Sequence, residues 1–389
     1  MPIAQARKLV LAASVKLPET PVPLGIALDR VLARDVVAAA DVPPFGNSAM
    51  DGFAVHHGAS SRTLRIVGES RAGTPATAVV GAGEAVRIST GAALPPGADA
   101  VIRVEDTSEH DGEVTLSAAV PAGHNIRAAG EDLRAGTTVL RAGTPLGPAE
   151  LAIAIGAGLG EVVCARAPRV AVLSTGDELR PPGAPLGPGE IHNSNAVMLA
   201  ALAHRAGAEL TTVEQVHDDP DSTARAFAAA LEQADVVIAS GGVSVGPHDH
   251  VKPALAALGV EQRFWRVDLQ PGKPTWFGAR GERLVFGLPG NPVSSFVTFM
   301  LFARPALLAL QGHAQPLPPR AQAQLTQPLR RRDREQAARV RLTEAEGVLR
   351  ATPTGAQGSH ITASLTGADG FAFVPSGDGD ATTAAVERI

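Results

Sequence analysis

The chain has 389 residues, 45% of them hydrophobic and 19% charged, with a net charge of −5. That length calls for about two to four domains, and an acidic balance without any basic, aromatic-interleaved stripe excludes a nucleic-acid partner. Cys164 is the only cysteine, which excludes a disulfide framework and a cysteine-based zinc site. No signal-peptide core opens the chain and no apolar run reads as membrane-spanning, so a cytoplasmic protein away from membranes is expected.

The first pattern, over residues 3–17, predicts a helix. Residues 28–37 show mixed periodicity and run into Pro43-Pro44. From about 61 to 120 the pattern shortens to β-type runs at 64–67, 85–88, 100–104 and 114–116, separated by Gly, Pro and Asp, which predicts a small β-rich domain. Residues 151–157 are apolar and fit either a helix or a buried core segment. From Arg169 strands and helices alternate: strands at 170–173, 210–216, 236–238, 260–267 and 284–286, helices at 196–206, 220–233, 250–258 and 293–310. Asp219 reads as the N-cap of the helix that starts at Pro220. This alternation predicts a doubly wound α/β sheet with right-handed crossovers. A proline-rich linker, 313–320, leads to β-like runs at 321–325, 339–343, 348–351 and 371–374, a second small β-domain.

The loops after the predicted strands carry the chemistry. Val236-Val-Ile-Ala-Ser-Gly-Gly-Val-Ser-Val-Gly-Pro-His-Asp-His250 breaks a buried strand with two glycines, leaving uncovered N–H groups that can cradle phosphate-like oxygens. Ser240, Gly241, Gly242 and Ser244 are therefore candidate ligand contacts, with Asp249 at the start of the next helix; a plain turn is the alternative. Ser174-Thr-Gly-Asp-Glu-Leu179 follows another strand. Thr175 and Gly176 offer donors to an oxyanion, and Asp177 and Glu178 can hold Mg²⁺ beside it, although a solvated helix N-terminus would show the same acids. Asp218 is a weaker candidate, at a strand end from which it can face the same cleft. Pro289 and Pro292 stiffen Gly287-Leu-Pro-Gly-Asn-Pro-Val293, a turn into a helix. Only four lysines occur against thirty arginines, so Lys273, fixed in Pro271-Gly-Lys-Pro274, is retained as a compact cation that suits phosphate-like oxygens; Lys252 invites the same reading. Asp51, in Gly46-Asn-Ser-Ala-Met-Asp-Gly-Phe53, is a turn residue or a site carboxylate. His248, His250, His56 and His57 read as loop polar groups rather than ligands. No Walker A loop, dinucleotide fingerprint or Ser-His-Asp signature is present.

Eight blocks in this order resemble the molybdopterin molybdenumtransferase family, the MoeA and gephyrin E-domain type: 30–36, Asn47-Ser-Ala-Met-Asp-Gly52, Ser89-Thr-Gly-Ala92, Gly130-Glu-Asp132, 174–179, 240–246, 271–274 and 287–294. The resemblance implies a multidomain α/β plus β protein. Its parts would be a helical N-terminal domain (1–44 and 128–167) interrupted by an inserted β-rich domain (45–127), an α/β molybdopterin-binding domain (168–312) and a C-terminal β-domain (313–389). It implies a homodimer with a shared site, and a reaction in which adenylylated molybdopterin and molybdate give molybdenum cofactor and AMP. Carried over by motif, Asp51, Thr90 and Asp132 would serve from the N-terminal half. Asp177, Glu178, Asp218, Asp249, Lys273, Pro289 and Pro292 would serve from the α/β domain, with Asp177, Glu178 and Asp249 on Mg²⁺. Arg339 and Ser364 would lie near molybdate. Phe53 stands where a tyrosine is usual and Asp29 where glycine is usual. Rival readings are molybdopterin adenylyltransferase, which resembles residues 169–310 alone and is also a conceivable partner, and a non-enzymatic scaffold of the same fold.

Overall fold

The first helix, Ile3–Ala13, buries Ile3, Ala6, Arg7 and Val10, a helical stripe that packs into the core of the α/β sheet far along the chain. A computed structural model describes residues 1–243 and 249–389. The helix stops short of residue 17 because Ser14 turns its hydroxyl back to the Val10 carbonyl at 2.9 Å, satisfying an end group of the last turn. Residues 28–37 form turns and one short strand, Val36–Val37, paired with Thr138–Leu140. Asp29 sits at φ 61°, a left-handed conformation in which glycine is easiest and Asp is among the tolerated alternatives. Residues 151–157 resolve as a helix, Pro148–Gly156, opened by the Glu150 carboxylate accepting from the Gly147 N–H at 3.1 Å. With the pair Glu19–Pro23 and Glu161–Ala165 this helix encloses a small separate core around Leu32, Leu146 and Cys164.

The inserted β-rich unit is a six-stranded sheet in the order Ala100–Arg103, Gly52–Val55, Glu84–Ile88, Thr63–Ser70, Glu113–Leu116, Thr107–His110. All four predicted runs are strands. Gly52–Val55 is a further strand, buried on both faces, so it shows no apolar–polar alternation in the sequence.

The α/β sheet runs Glu209–Val216, Arg169–Thr175, Val236–Ser240, Arg283–Leu288, Trp276–Arg280, Glu261–Trp265. Successive residues of its central strands serve opposite cores. Val170 and Val172 join the cluster containing the first helix and helix Ser194–Arg205, while Ala171 and Leu173 pack with Phe227 and Leu231 of helix Pro220–Gln233. The first four strands are parallel and helices cover both faces, as predicted. The last two pairings differ from the doubly wound expectation, being antiparallel, because Trp276–Arg280 runs against both of its neighbours. Residues 261–265 connect to 276–280 through a loop too short for a crossover helix, so the chain must return antiparallel. After Arg169–Thr175 the chain adds a strand on one side and then, with Val236–Ser240, on the other. The crevice between these two strand ends is the switch point at which open α/β sheets bind ligands.

Residues 292–310 form one helical run, Pro292–Thr298, a π-turn Phe299–Ala303 and Arg304–Leu310. By length and composition this run could cross a membrane, contrary to the sequence expectation, but most of it is buried in the core. The tail closes into a five-stranded ring, Glu335–Ala345, Val348–Pro353, Ala321–Arg330, Asp380–Arg388, Gly370–Val374, with the last pairing back to the first. Leu269–Gln270 adds to this ring in parallel, which fixes the α/β domain against the barrel.

Candidate functional site

A cavity of about 610 Å³ opens at the carboxyl ends of the parallel strands. Its floor is the switch point: Thr175 and Gly176 from one strand end, Ser240, Gly241 and Gly242 from the other, and Pro289 to Pro292 from a third. The glycines are required by close approach. At Gly241, φ 90°, an added Cβ would lie 2.8 Å from the Thr175 carbonyl oxygen; at Gly242, φ 64°, it would lie 2.6 Å from the Val251 side chain. Ser174 and Thr175 carry buried hydroxyl oxygens with no partner among the described residues. Ser244 lies outside the described residues.

Three carboxylates edge this cavity: Glu178, Asp218 and Asp249. Asp249 is the most buried, and one carboxyl oxygen has no hydrogen-bond partner among the described residues. Burial pushes its pKa up to about 6 against the pull of Lys252 and His250, with Asp218 adding a small push in the same direction. The Lys252 ammonium is 4.0 Å from Asp249 and lies over the Trp265 ring at 4.1 Å. Asp177, one residue before Glu178, is not part of the wall. Its carboxylate pairs with the His217 ring at 2.9 Å and accepts from the Asp218 N–H at 3.3 Å, and the His217 bond holds its pKa below the usual carboxylate value. Among the described residues no three His, Cys, Asp or Glu side chains are grouped to hold a metal. The expected trio of Asp177, Glu178 and Asp249 is thus not preassembled as a cluster.

A second cavity of about 330 Å³ adjoins the first and shares Pro274, Pro289 and Asn291 with it. One wall is the 270–274 loop with Lys273. The opposite wall comes from the barrel, with Arg332, Arg334 and residues 357–359. Among the described residues three cations line it and no carboxylate does. The loop is rigid: Gly272, at φ 122°, leaves no room for a Cβ, which would meet Thr298 at 2.5 Å, and the Thr275 hydroxyl donates to the Gly272 carbonyl at 2.6 Å. The Asn291 amide donates to the Ser359 hydroxyl at 3.1 Å, joining the two walls.

Arg339 and Ser364 lie behind this wall rather than on it. Arg339 is fully buried, and its guanidinium donates to the Ser364 hydroxyl (2.9 and 3.1 Å) and to the carbonyls of Ala356, Gln357 and Gly358. Burial draws its pKa down to about 10. Its geometry holds the loop that presents residues 357–359. Asp51 caps the Thr90 N–H at 2.7 Å, and the following Gly52 is obligatory because a Cβ there would lie 1.9 Å from the Ile102 carbonyl oxygen. Asp132 is held by its N–H donating to Val42 at 2.9 Å. None of Asp51, Thr90 and Asp132 lines either cavity of its own chain.

Sequence reasoning missed Asn195, Asn291, Arg332 and Arg334. Arg332 and Arg334 sit in a run of arginines between two β-like runs, where charge alone does not mark a ligand-facing side chain. Asn195 follows the Asn193 cap of a helix, and a second Asn in the first helical turn is the signal that was available.

Residues 1–158 match the family model of the MoeA N-terminal region (domain I and II), and 322–383 that of the MoeA C-terminal region (domain IV). Between them, 171–309 match the model described as "Probable molybdopterin binding domain". A molybdopterin molybdenumtransferase of Haemophilus influenzae is 40% identical over 292 residues, covering 74% of this chain and 72% of that protein. The chain belongs to the molybdopterin molybdenumtransferase family. A Staphylococcus aureus member is 34% identical over 325 residues, 82% of this chain and 78% of its own length. The crystal structure of the MoeA molybdopterin biosynthesis protein from Pyrococcus horikoshii superposes with a TM-score of 0.83 at 32% identity, over 100% of this chain and 98% of that one. The protein is accordingly an enzyme of molybdenum cofactor biosynthesis. The rival readings as an adenylyltransferase or a scaffold are not favoured, because the match extends through the N-terminal and C-terminal regions.

Proposed function

We propose that the two cavities divide the reaction, the larger taking adenylylated molybdopterin and the smaller taking molybdate, so that molybdenum enters the cofactor as AMP leaves. The observation that carries this reading is the junction itself: a cavity edged by Glu178, Asp218 and Asp249 shares Pro274, Pro289 and Asn291 with one lined by Lys273, Arg332 and Arg334. Two anions brought together repel, and a dianionic oxyanion needs cationic donors that the smaller cavity supplies. The N–H groups of the Gly241-Gly242 turn suit the phosphates.

Mg²⁺ fits the larger cavity. Asp249 has a buried carboxyl oxygen without a partner, and Glu178 and Asp218 add hard oxygen donors. When bound, the ion would neutralise charge on the phosphoanhydride. Mg²⁺ is expected to bind with substrate phosphate completing its shell, because few protein carboxylates are on offer. Asp177 is better placed to orient the 217–218 segment than to touch the ion.

A second copy of the chain is the natural source of Asp51, Thr90 and Asp132, which serve neither cavity of their own subunit, and a homodimer with a site shared across its interface follows. Such an enzyme works among cytoplasmic small molecules, and its substrate would come from a molybdopterin adenylyltransferase.

The expected result is that AMP release from adenylylated molybdopterin depends on molybdate and on Mg²⁺ and consumes no ATP. Equal AMP release without molybdate would contradict the transfer reading. ATP-dependent adenylylation of molybdopterin would instead identify the preceding reaction, and absence of either turnover would leave a scaffold.

A further inference from the structure

Asn195 is the second residue of helix Ser194–Arg205 and is buried, 8% exposed, in the lining of the larger cavity. Its amide nitrogen donates twice, to the Ser240 hydroxyl at 2.7 Å and to the Gly290 carbonyl at 2.6 Å. These bonds tie the helix start to two strand-end loops that are themselves joined by the Gly241 N–H donating to Leu288 at 3.1 Å. The orientation of the amide is fixed, because turning it would set its oxygen against the Gly290 carbonyl, acceptor against acceptor. Both donors are therefore spent, and the oxygen is left buried without a partner among the described residues. Buried acceptors are rarely left unpaired in a folded protein, so an unpaired one in a cavity wall points to a donor that arrives with the ligand.

We propose that Asn195 reads the pterin ring, its side-chain oxygen accepting from a ring N–H or the ring amino group while its nitrogen holds the two loops at the spacing the ring needs. A pterin edge carries adjacent N–H donors, whereas phosphate oxygens only accept and suit the N–H groups of the Gly241-Gly242 turn; the adenine amino group is the rival donor, which the AMP probe reads. The inference rests on the larger cavity being the site of adenylylated molybdopterin.

The test compares equilibrium binding of two probes, adenylylated molybdopterin and AMP, to the full-length protein and to Asn195→Ala and Asn195→Asp. Asn195→Ala should weaken adenylylated molybdopterin by about 10-fold or more, as for loss of one hydrogen bond to a buried group, and weaken AMP clearly less, since AMP loses only the loop ties. Asn195→Asp keeps an oxygen at the cavity but loses both donations, so it should retain more affinity for the pterin probe than Asn195→Ala. An equal loss for AMP would assign the residue to the adenine or to loop structure alone, and unchanged binding of both probes would remove it from recognition; either overturns the proposal. Failure of the wild-type protein to bind adenylylated molybdopterin at all would instead overturn the cavity assignment.

Discussion

Asp249→Asn is expected to lower kcat/KM for adenylylated molybdopterin by about 100-fold, the scale of removing one fixed electrostatic stabiliser from a transition state, and to raise the Mg²⁺ concentration required. The side chain is nearly inaccessible and its carboxyl is pushed up to about 6 by burial. Asparagine keeps the shape and removes the charge, so the loss belongs to the charge. The pH dependence carries the same sign. A folded-state pKa above the unfolded value favours the fold most fully below about 4, and that contribution is lost as pH rises through about 6. Function runs the other way, since the cation needs the ionised form. Steady-state kinetics should show kcat/KM rising through about pH 6 in the wild type, and that limb should vanish in the variant while its melting temperature at neutral pH is no lower. An unaltered pH profile would take Asp249 out of the mechanism. Mixing Asp249→Asn with Asp51→Ala subunits should restore about a quarter of wild-type activity, because half of randomly paired dimers would carry one intact site of two. No recovery by two folded variants would count against a site shared across the interface, because each subunit would then carry its own defect.

Glu387→Ala is expected to destabilise the protein by about 3–5 kcal/mol, the usual result of leaving one partner of a buried pair alone. Arg7 and Glu387 meet in two parallel hydrogen bonds of 2.6 and 2.7 Å, with side chains 7% and 2% exposed. Arg320 adds a 2.8 Å bond to the same carboxylate. Arg7 also donates to the Leu301 carbonyl within the π-turn at 3.1 Å. The cluster therefore fastens the first helix, the long core helix and the last strand of the barrel. Burial alone would raise the Glu387 pKa, but the bonds and charges of Arg7 and then Arg320 prevail and hold it below the usual value. A depressed carboxylate contributes stability above its unfolded pKa that is lost as pH falls through the folded one, so the wild type should lose more stability on acidification than the variant. Denaturant unfolding at neutral and acidic pH measures both; a change below about 1 kcal/mol would mean the pair behaves as a surface ion pair.

Much of this was legible because strand-end loops advertise themselves. Gly241-Gly242, Pro271 to Pro274 and Gly287 to Pro292 stand at the ends of apolar runs, and Asp219 caps its helix by accepting from the Ser222 N–H at 2.9 Å, as its place before Pro220 predicts. Strand 276–280 was hidden by its Gly-Ala content, and strand 380–388 by a run of threonines and alanines with few large apolar residues. Asp177 and Glu178 are adjacent and chemically alike, so only backbone direction could show that one faces the cavity and the other His217. Arg339 was expected near a ligand; its charge gives no hint that it is fully buried and spends its donors on a loop. Arg332 and Arg334 become cavity residues only because the barrel swings them against Lys273.

The division of labour between the cavities is tested most directly by locating an oxyanion in crystals soaked with tungstate, a heavy tetrahedral analogue of molybdate, alongside its solution affinity for wild type and Lys273→Ala. The account predicts tungsten between Lys273, Arg332 and Arg334, and an affinity loss of about 1–3 kcal/mol in the variant, as for a charge-assisted hydrogen bond. Tungsten bound instead on the Gly241-Gly242 turn, with affinity indifferent to Lys273, would contradict it.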